Sequence, residues 1–272
     1  QFGPYSKRPG YDFIVQGMGG FMSVTGEADG FPGASPQKAG VAIADIFTGM
    51  YATTSILAAI AHKNHTGEGQ YIDLALLDTQ IAVMANVASA YLCSDEVPKR
   101  WGNASPTIVP YQTLPTSDGW MIVAAGNNGQ FRHFVTAGGE AHLADNPLYS
   151  ENPMRVKHRE QLVPLLEEMT RKKTKAEWIA LLEKANVPCG PINNFQEVFE
   201  NEQVKARDIQ INVPHPTAGK MKLVASPMRL SKTPVEVRMA PPTLGQHTDE
   251  ILRERLGLSA QDILVLRENG SI

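Results

Sequence analysis

Between Lys38 and Lys63 the chain carries no Lys or Arg, and nearly every residue is apolar or small. In this stretch, "QKAGVAIADIFTGMYATTSILAAIAHK" (residues 37 to 63), Ile46, Met50, Ile56, Leu57 and Ile60 recur with small residues between them. That pattern predicts one long, mostly buried helix. A single carboxylate, Asp45, stands in the run. One reading is structural: Asp is a preferred N-cap whose side chain accepts orphan backbone N–H bonds, and a helix is expected to start just after it. The other is chemical. The same helix-end amides can stabilise developing negative charge, and a carboxylate in apolar surroundings is costly without hydrogen bonds. Such a carboxylate can be retained as a nucleophile that forms a covalent acyl intermediate. Position alone leaves both readings open.

Composition narrows the function classes. The chain has 272 residues, 42% of them hydrophobic and 19% charged, which is ordinary for a globular protein long enough for one or two domains. Its formal net charge is -3, and no stretch concentrates Lys and Arg with aromatics, so nothing resembles a nucleic-acid footprint. Cys93 and Cys189 lie far apart and belong to no CxxC pair or His/Cys cluster, so two reduced thiols and no metal site are expected. No uninterrupted apolar run approaches the ~18 residues of a spanning helix, and the start "QFGPYSKRPGY" lacks a signal-peptide layout. These features predict a soluble, cytoplasmic protein with no membrane partner.

Along the chain, "YDFIVQGMGGFMSV" is apolar with a Gly-rich middle, and a Gly/Pro/Asp loop follows it. After Asp45, "HTGEGQ" turns the chain into "YIDLALLDTQIAVMANVASAYL", predicted as a second long buried helix. From about residue 95 Pro and Gly punctuate short apolar runs. "PYQTL" and "WMIVAA" flank the turn "PTSDG" as two strands. Amphipathic helices are predicted in "NGQFRHFVTAG", "HREQLVPLLEEMTRK" and, after the cap Thr174, "KAEWIALLEKAN". "VPCGPINNF" interrupts, "QEVFENEQVKAR" resumes helix, and "INVPHPTAGKMKLVASPMRL" reads as a strand pair around Thr217, Ala218 and Gly219. A Pro-rich crossing then leads into the helix "EILRERLGL".

In order and spacing, "RPGYDFIVQGMGG", "AGVAIADIFTGMYA" and "HTGEGQYIDLALLDTQ" resemble the class III CoA-transferases, the CaiB/BaiF family. "RWGNASPTIVPYQTL", "AAGNNGQF", "VPCGPINNFQEVF", "HPTAGKMKLVASPMRL" and "PPTLGQHTDEIL" resemble it too, so the likeness spans essentially the whole chain. It implies an α/β fold with a Rossmann-like large domain, incomplete here, plus a small α/β domain, in a homodimer whose subunits interlock. On that pattern residues 1–78 and 205–272 fall in the large domain, 79–100 form a linker helix, 101–188 the small domain and 189–204 a second linker. The strand-helix repeats that open the large domain are expected outside this chain.

The resemblance also implies the chemistry. Asp45 corresponds to the nucleophile that carries CoA as an aspartyl thioester between an acyl-CoA and a carboxylic acid, with no bound cofactor; CoA and acyl-CoA are substrates. The combination of motifs is most like the branch acting on succinate and glutarate-type acids, which implies succinyl-CoA as donor and a short dicarboxylate as acceptor. Tyr11 and Asp12 fall at the pair that accompanies the nucleophile. The family's α-methylacyl-CoA racemases have His where this chain has Tyr11, and a phenol of pKa near 10 is a poor proton shuttle at neutral pH. Gly102, Asn103 and Ser105 lie where the family places a mobile loop over the active site, and Arg8 is a candidate for CoA phosphates. The alternatives are a 2-methylacyl-CoA racemase and a CoA-binding protein without catalysis.

Overall fold

The computed structural model of the chain describes residues 2–272. It gathers into two compact units, Gln1–Ile192 and Asn193–Ile272. The first opens with five helices: α1 (Asp12–Met18), α2 (Phe21–Val24), α3 (Ile43–Thr66), α4 (Leu76–Val83) and α5 (Ala85–Ser94). The run between Lys38 and Lys63 does form one helix, 24 residues long, closed by Gly67. Gly67 sits at a φ of +80°, which glycine adopts without penalty, and its N–H caps the Lys63 carbonyl at 2.8 Å.

The expected burial of this helix is corrected. Ala44 is its one buried residue, while Met50 and Leu57 are 63% and 61% exposed. The physical reason is that α1 and α4 are the elements packed along α3, and neither is long enough to cover its remaining faces. By length and composition α3 is also apolar enough to cross a membrane, a test that core helices of soluble proteins pass as well. The second expected long helix is two. The chain bends by 79° between α4 and α5, where Ala85 takes a φ of +38°.

The expected hairpin forms with a tighter turn than "PTSDG": β1 (Tyr111–Thr116) and β2 (Gly119–Ala124) are antiparallel, with Thr116 opposite Gly119 across a two-residue turn. Along β2, Met121 and Val123 point into the core while Trp120 and Ile122 point out, the period of two that one-sided burial imposes. Helices α6 (Asn128–Ala137), α7 (His142–Asp145), α8 (Asn152–Lys157), α9 (Arg159–Thr170) and α10 (Lys175–Lys184) follow. A third strand, β3 (Cys189–Pro191), then pairs antiparallel with β2. The residues "VPCGP", expected only to interrupt, therefore complete a sheet.

The core lies between this sheet and α6, α9 and α10, with Leu114, Met121, Phe131, Phe134, Leu166 and Trp178 fully buried. Trp178 donates its indole N–H to the Thr170 carbonyl at 2.7 Å, so its polar edge is satisfied inside the core. Its ring tilts against Phe134 with centroids 6.1 Å apart. Thr174 caps α10 in a reciprocal box with Glu177. Where α6 ends at Gly138, a Cβ would displace the buried Met169 side chain, which packs directly on the glycine.

The second unit holds α11 (Phe195–Glu200), α12 (Glu202–Ala206), the antiparallel pair β4 (Gln210–His215) and β5 (Gly219–Val224), α13 (Thr248–Leu256) and α14 (Ala260–Glu268). All strand pairings among the described residues are antiparallel.

Candidate active site

Asp45 is not the cap of its helix. Helix α3 starts at Ile43 after Ala42, whose side chain caps nothing, so Asp45 is the third helical residue and lies in the first turn. The cap comes from elsewhere in the chain. Asp12, at the start of α1, places Oδ1 2.8 Å from the Ala44 N–H and 3.4 Å from the Asp45 N–H. The Ile43 N–H is bonded to the Val41 carbonyl and the Ile46 N–H to the Ala42 carbonyl. All the first-turn amides are therefore occupied, which corrects the expectation that they stand open to a reacting oxygen. The Asp45 carboxylate is exposed and has no hydrogen-bond or ion-pair partner among the described residues.

Gln16, one turn after Asp12, escapes a reading of the sequence although it stands in the apolar run "YDFIVQGMGG" at a spacing of four from Asp12. It is 0% exposed, donates from Nε2 to Asp12 Oδ2 at 2.6 Å and accepts the Ala39 N–H at 2.8 Å. The Asp12 cap is thereby tied both to its own helix and to the segment leading into α3. Tyr11 precedes this network as the N-cap of α1, with its side chain 71% exposed.

Gly102, Asn103 and Ser105 fall in a second group. Gly102 and Asn103 line a cleft of about 860 Å³ together with Glu27, Phe31, Trp101 and Trp120. Gly102 sits at a φ of +58°, and a Cβ there would stand 3.3 Å from the Glu27 carboxylate. Gly26 holds the facing segment, because its φ is +128° and a Cβ would collide with the Ser35 carbonyl oxygen. Arg100 pairs with Asp29 across the cleft. Ser105 turns its hydroxyl inward to accept the Thr107 and Ile108 N–H groups, each at 3.2 Å.

The loop from Trp101 to Pro110 is held by side chains that carry no motif. Arg159 donates to the Ser105 carbonyl at 3.0 Å and the Pro106 carbonyl at 2.8 Å, and its guanidinium lies 4.4 Å over the Trp101 ring. Asn152 donates to the Thr107 carbonyl at 2.8 Å and accepts the Val109 N–H. Arg155, fully buried, donates to the carbonyls of Val109, Tyr149 and Ser150 and to Asn128 Oδ1. Burial pulls both guanidinium groups below the usual Arg value. Arg8 engages neither group of residues; its guanidinium lies 3.8 Å over the Tyr5 ring.

The structure thus brings Asp12 and Asp45 together at the α1–α3 junction, with Tyr11 exposed just before Asp12, and sets Gly102 and Asn103 on the cleft, with Ser105 in the same loop but outside its lining. No hydrogen bond or ion pair among the described residues joins the two groups directly. No group of three or more His, Cys, Asp or Glu among the described residues is placed to hold a metal ion.

Known proteins match this chain over most of its length. The family described as CoA-transferase family III matches residues 1–248. The chain is 44% identical over 254 residues to the succinate–glutarate CoA-transferase of Agrobacterium fabrum, covering 93% of this chain and 62% of that protein. It is 40% identical over 256 residues to the succinyl-CoA:glutarate CoA-transferase of Homo sapiens, covering 94% and 58%. The crystal structure of a CaiB/BaiF family protein from Brucella suis superposes with a TM-score of 0.80 at 43% identity, covering 93% of this chain and 65% of that one. The chain therefore spans about three-fifths of the length of these curated relatives.

Proposed function

This chain belongs to CoA-transferase family III, and from that premise we propose that its protein moves CoA from an acyl-CoA to a free carboxylic acid through Asp45. Succinyl-CoA is the proposed donor and glutarate the proposed acceptor, on the likeness to the two glutarate enzymes. The observation that carries the reading is local: Asp45 stands exposed in the first turn of α3 while Asp12 does the capping, so the Asp45 carboxylate is left for chemistry.

The steps balance without ATP, because one thioester is exchanged for another. A carboxylate oxygen of Asp45 attacks the donor thioester carbonyl; the C–S bond breaks, giving a mixed anhydride and CoA thiolate. The thiolate attacks the aspartyl carbonyl of the anhydride and expels the donor acid as its carboxylate, leaving Asp45 as a CoA thioester. The acceptor carboxylate attacks that thioester and releases thiolate again. The thiolate then attacks the acceptor carbonyl of the second anhydride, which regenerates Asp45. Splitting one difficult exchange into covalent steps lowers the barrier of each.

Asp12 serves in this reading as the cap that fixes the turn bearing Asp45, with Tyr11 beside it. Gly102, Asn103 and Ser105 form the substrate-side loop, whose small residues allow close backbone approach. We assign the protein to the cytoplasm. We also assign it the Rossmann-like large domain and interlocked homodimer that the resemblance implies; the exposed apolar faces of α3 support a second copy packing there.

The test is a substrate assay on the purified full-length protein. Succinyl-CoA and glutarate together are expected to yield glutaryl-CoA and succinate, with no solvent deuterium entering the α-carbon of a 2-methylacyl-CoA. Deuterium washed in without acid exchange would establish the racemase instead. Binding of acyl-CoA with no turnover on any acid would establish a non-catalytic binder.

A further inference from the structure

We infer that Gln16 is a positioning residue for the transfer reaction: its buried carboxamide orients Asp12 on the first-turn amides of α3 and so fixes the direction in which Asp45 leaves the helix. The inference rests on the reading of Asp45 as nucleophile. Its basis is the hydrogen-bond chain itself. Gln16 Nε2 reaches Asp12 Oδ2 at 2.6 Å, and Gln16 Oε1 takes the Ala39 N–H at 2.8 Å. Asp12 Oδ1 takes the Ala44 N–H at 2.8 Å. Each end of the carboxamide is used in one sense only, donor toward Asp12 and acceptor toward Ala39.

Packing does not supply the same constraint. Ala44 is the buried residue of α3, and the helix is otherwise held along α1 and α4. The orientation of its first turn then depends on polar contacts that originate outside the helix, from Asp12 and, behind it, Gln16. A misplacement of about 1 Å at a reacting group costs on the order of a hundredfold in rate, so a residue that controls this turn controls the chemical step without touching substrate.

The polarity of the chain gives a sharp test. Gln16→Glu sets a second carboxylate against Asp12. Asp12→Asn sets an amide donor against Gln16 Nε2, and rotating the Gln16 amide only moves the conflict to the Ala39 N–H. The double variant Asp12→Asn with Gln16→Glu restores every contact. The new amide at position 12 still accepts from the Ala44 N–H through its oxygen and donates through its nitrogen to the new carboxylate at position 16, which in turn accepts from Ala39. The net charge of the pair is unchanged. As a control, Gln80→Leu removes another fully buried carboxamide, on α4, whose Oε1 has no hydrogen-bond partner among the described residues and which bonds to neither Asp12 nor Ala39.

The experiment follows two signals in the full-length protein: the single-turnover rate of adduct formation at Asp45 with succinyl-CoA, and deuterium uptake by backbone amides of residues 43–46. Each single variant is expected to slow the adduct about ten- to a hundredfold, with the KM for succinyl-CoA little changed, and to speed amide exchange. The double variant recovers most of both losses, and Gln80→Leu leaves the adduct rate unchanged whatever it does to the melting temperature. Rates in the Gln16 variants equal to the unmodified protein overturn the inference. So does a folded double variant as slow as the singles, or an equal slowing by Gln80→Leu. An unmodified protein that forms no adduct at Asp45, while exchange at 43–46 still follows the swap, overturns the functional reading and with it the catalytic role of Gln16.

Discussion

Two parts of the first unit fold by different means. Between Val109 and Pro191 a three-stranded sheet and its helices enclose a continuous core, with Trp178, Phe134 and Met121 fully buried. Between Asp12 and Ser94 helices dominate, yet α3 buries only Ala44 and turns Met50 and Leu57 outward. In the first part packing sets position. In the second, the turn bearing Asp45 is set by a chain of hydrogen bonds through Asp12 and Gln16. The contrast teaches that the candidate nucleophile sits where few apolar contacts hold it, so its geometry rests on a small number of polar residues.

The largest expected effect separates chemistry from folding. Asp45→Ala should lower turnover on the order of a thousandfold or more, as loss of a covalent nucleophile does. Its melting temperature should stay close to that of the unmodified protein, because the exposed carboxylate has no hydrogen bond or ion pair among the described residues to lose. Equal losses of stability and rate would show that Asp45 supports the fold instead.

Truncation of one side chain in each part separates the two by cost. Trp178→Ala removes a fully buried ring and its indole hydrogen bond and should cost about 3–5 kcal/mol in denaturant unfolding. Leu57 on α3 is 61% exposed in the single chain, so Leu57→Ala should cost about 0.5 kcal/mol or less in the dissociated chain and more in the proposed homodimer, which covers that face. A Leu57 cost rivalling that of Trp178 would mean that another surface covers α3 in solution, as the proposed dimer requires.

A smaller effect is expected where the packed part meets the cleft. Arg159→Met removes two hydrogen bonds to the loop carbonyls and the cation resting on Trp101. The loss should be about 1–3 kcal/mol, with faster proteolysis between Trp101 and Pro106. Unchanged cleavage would show that Asn152 and Arg155 suffice to hold the loop.

The smallest effects are titrations within the packed part. The Lys175 N–H at 2.7 Å, with the Thr116 hydroxyl behind it, holds the Asp118 carboxyl below its ordinary value of 3.8. The Thr174 N–H does the same for Glu177, below an ordinary value of 4.5. A carboxylate whose pKa is lower folded than unfolded stabilises fully above its unfolded value, and the gain is lost as pH falls through the folded one. Stability should therefore decline below about pH 4, and Asp118→Asn should flatten that slope; an unchanged slope would assign the acid sensitivity elsewhere. Thiol labelling gives a parallel contrast. Burial first, then Glu183, pushes the half-buried Cys189 thiol up, whereas Cys93 on α5 is exposed. Cys93 should alkylate well before Cys189; the reverse order would mean that α5 is covered.

What the sequence made legible follows the same division. The β1–β2 hairpin could be read from the turn residues "PTSDG" between two short apolar runs, and α10 from Thr174, because both signals are local. The strand at Cys189 was hidden: three residues between prolines carry no periodicity, and only pairing with β2 makes them a strand. The break between α4 and α5 was hidden too, since neither Met84 nor Ala85 is a helix breaker. The start of α3 was misplaced because its cap, Asp12, lies 32 residues upstream of the amide it serves. In the site, the pairing of Asp12 with Asp45 rested on family resemblance. The loop clamps Arg155 and Arg159 had no sequence signal, because their partners are backbone carbonyls that any residue supplies.

The most direct test of the central claim is to trap the aspartyl thioester. The full-length protein is incubated with succinyl-CoA, reduced with borohydride and digested, and the peptide containing residue 45 is sequenced by mass spectrometry. The expected result is conversion of Asp45 to homoserine that depends on succinyl-CoA and disappears when excess acceptor acid drains the intermediate before reduction. An unmodified Asp45 in protein that has bound and turned over succinyl-CoA would contradict a covalent role for this carboxylate.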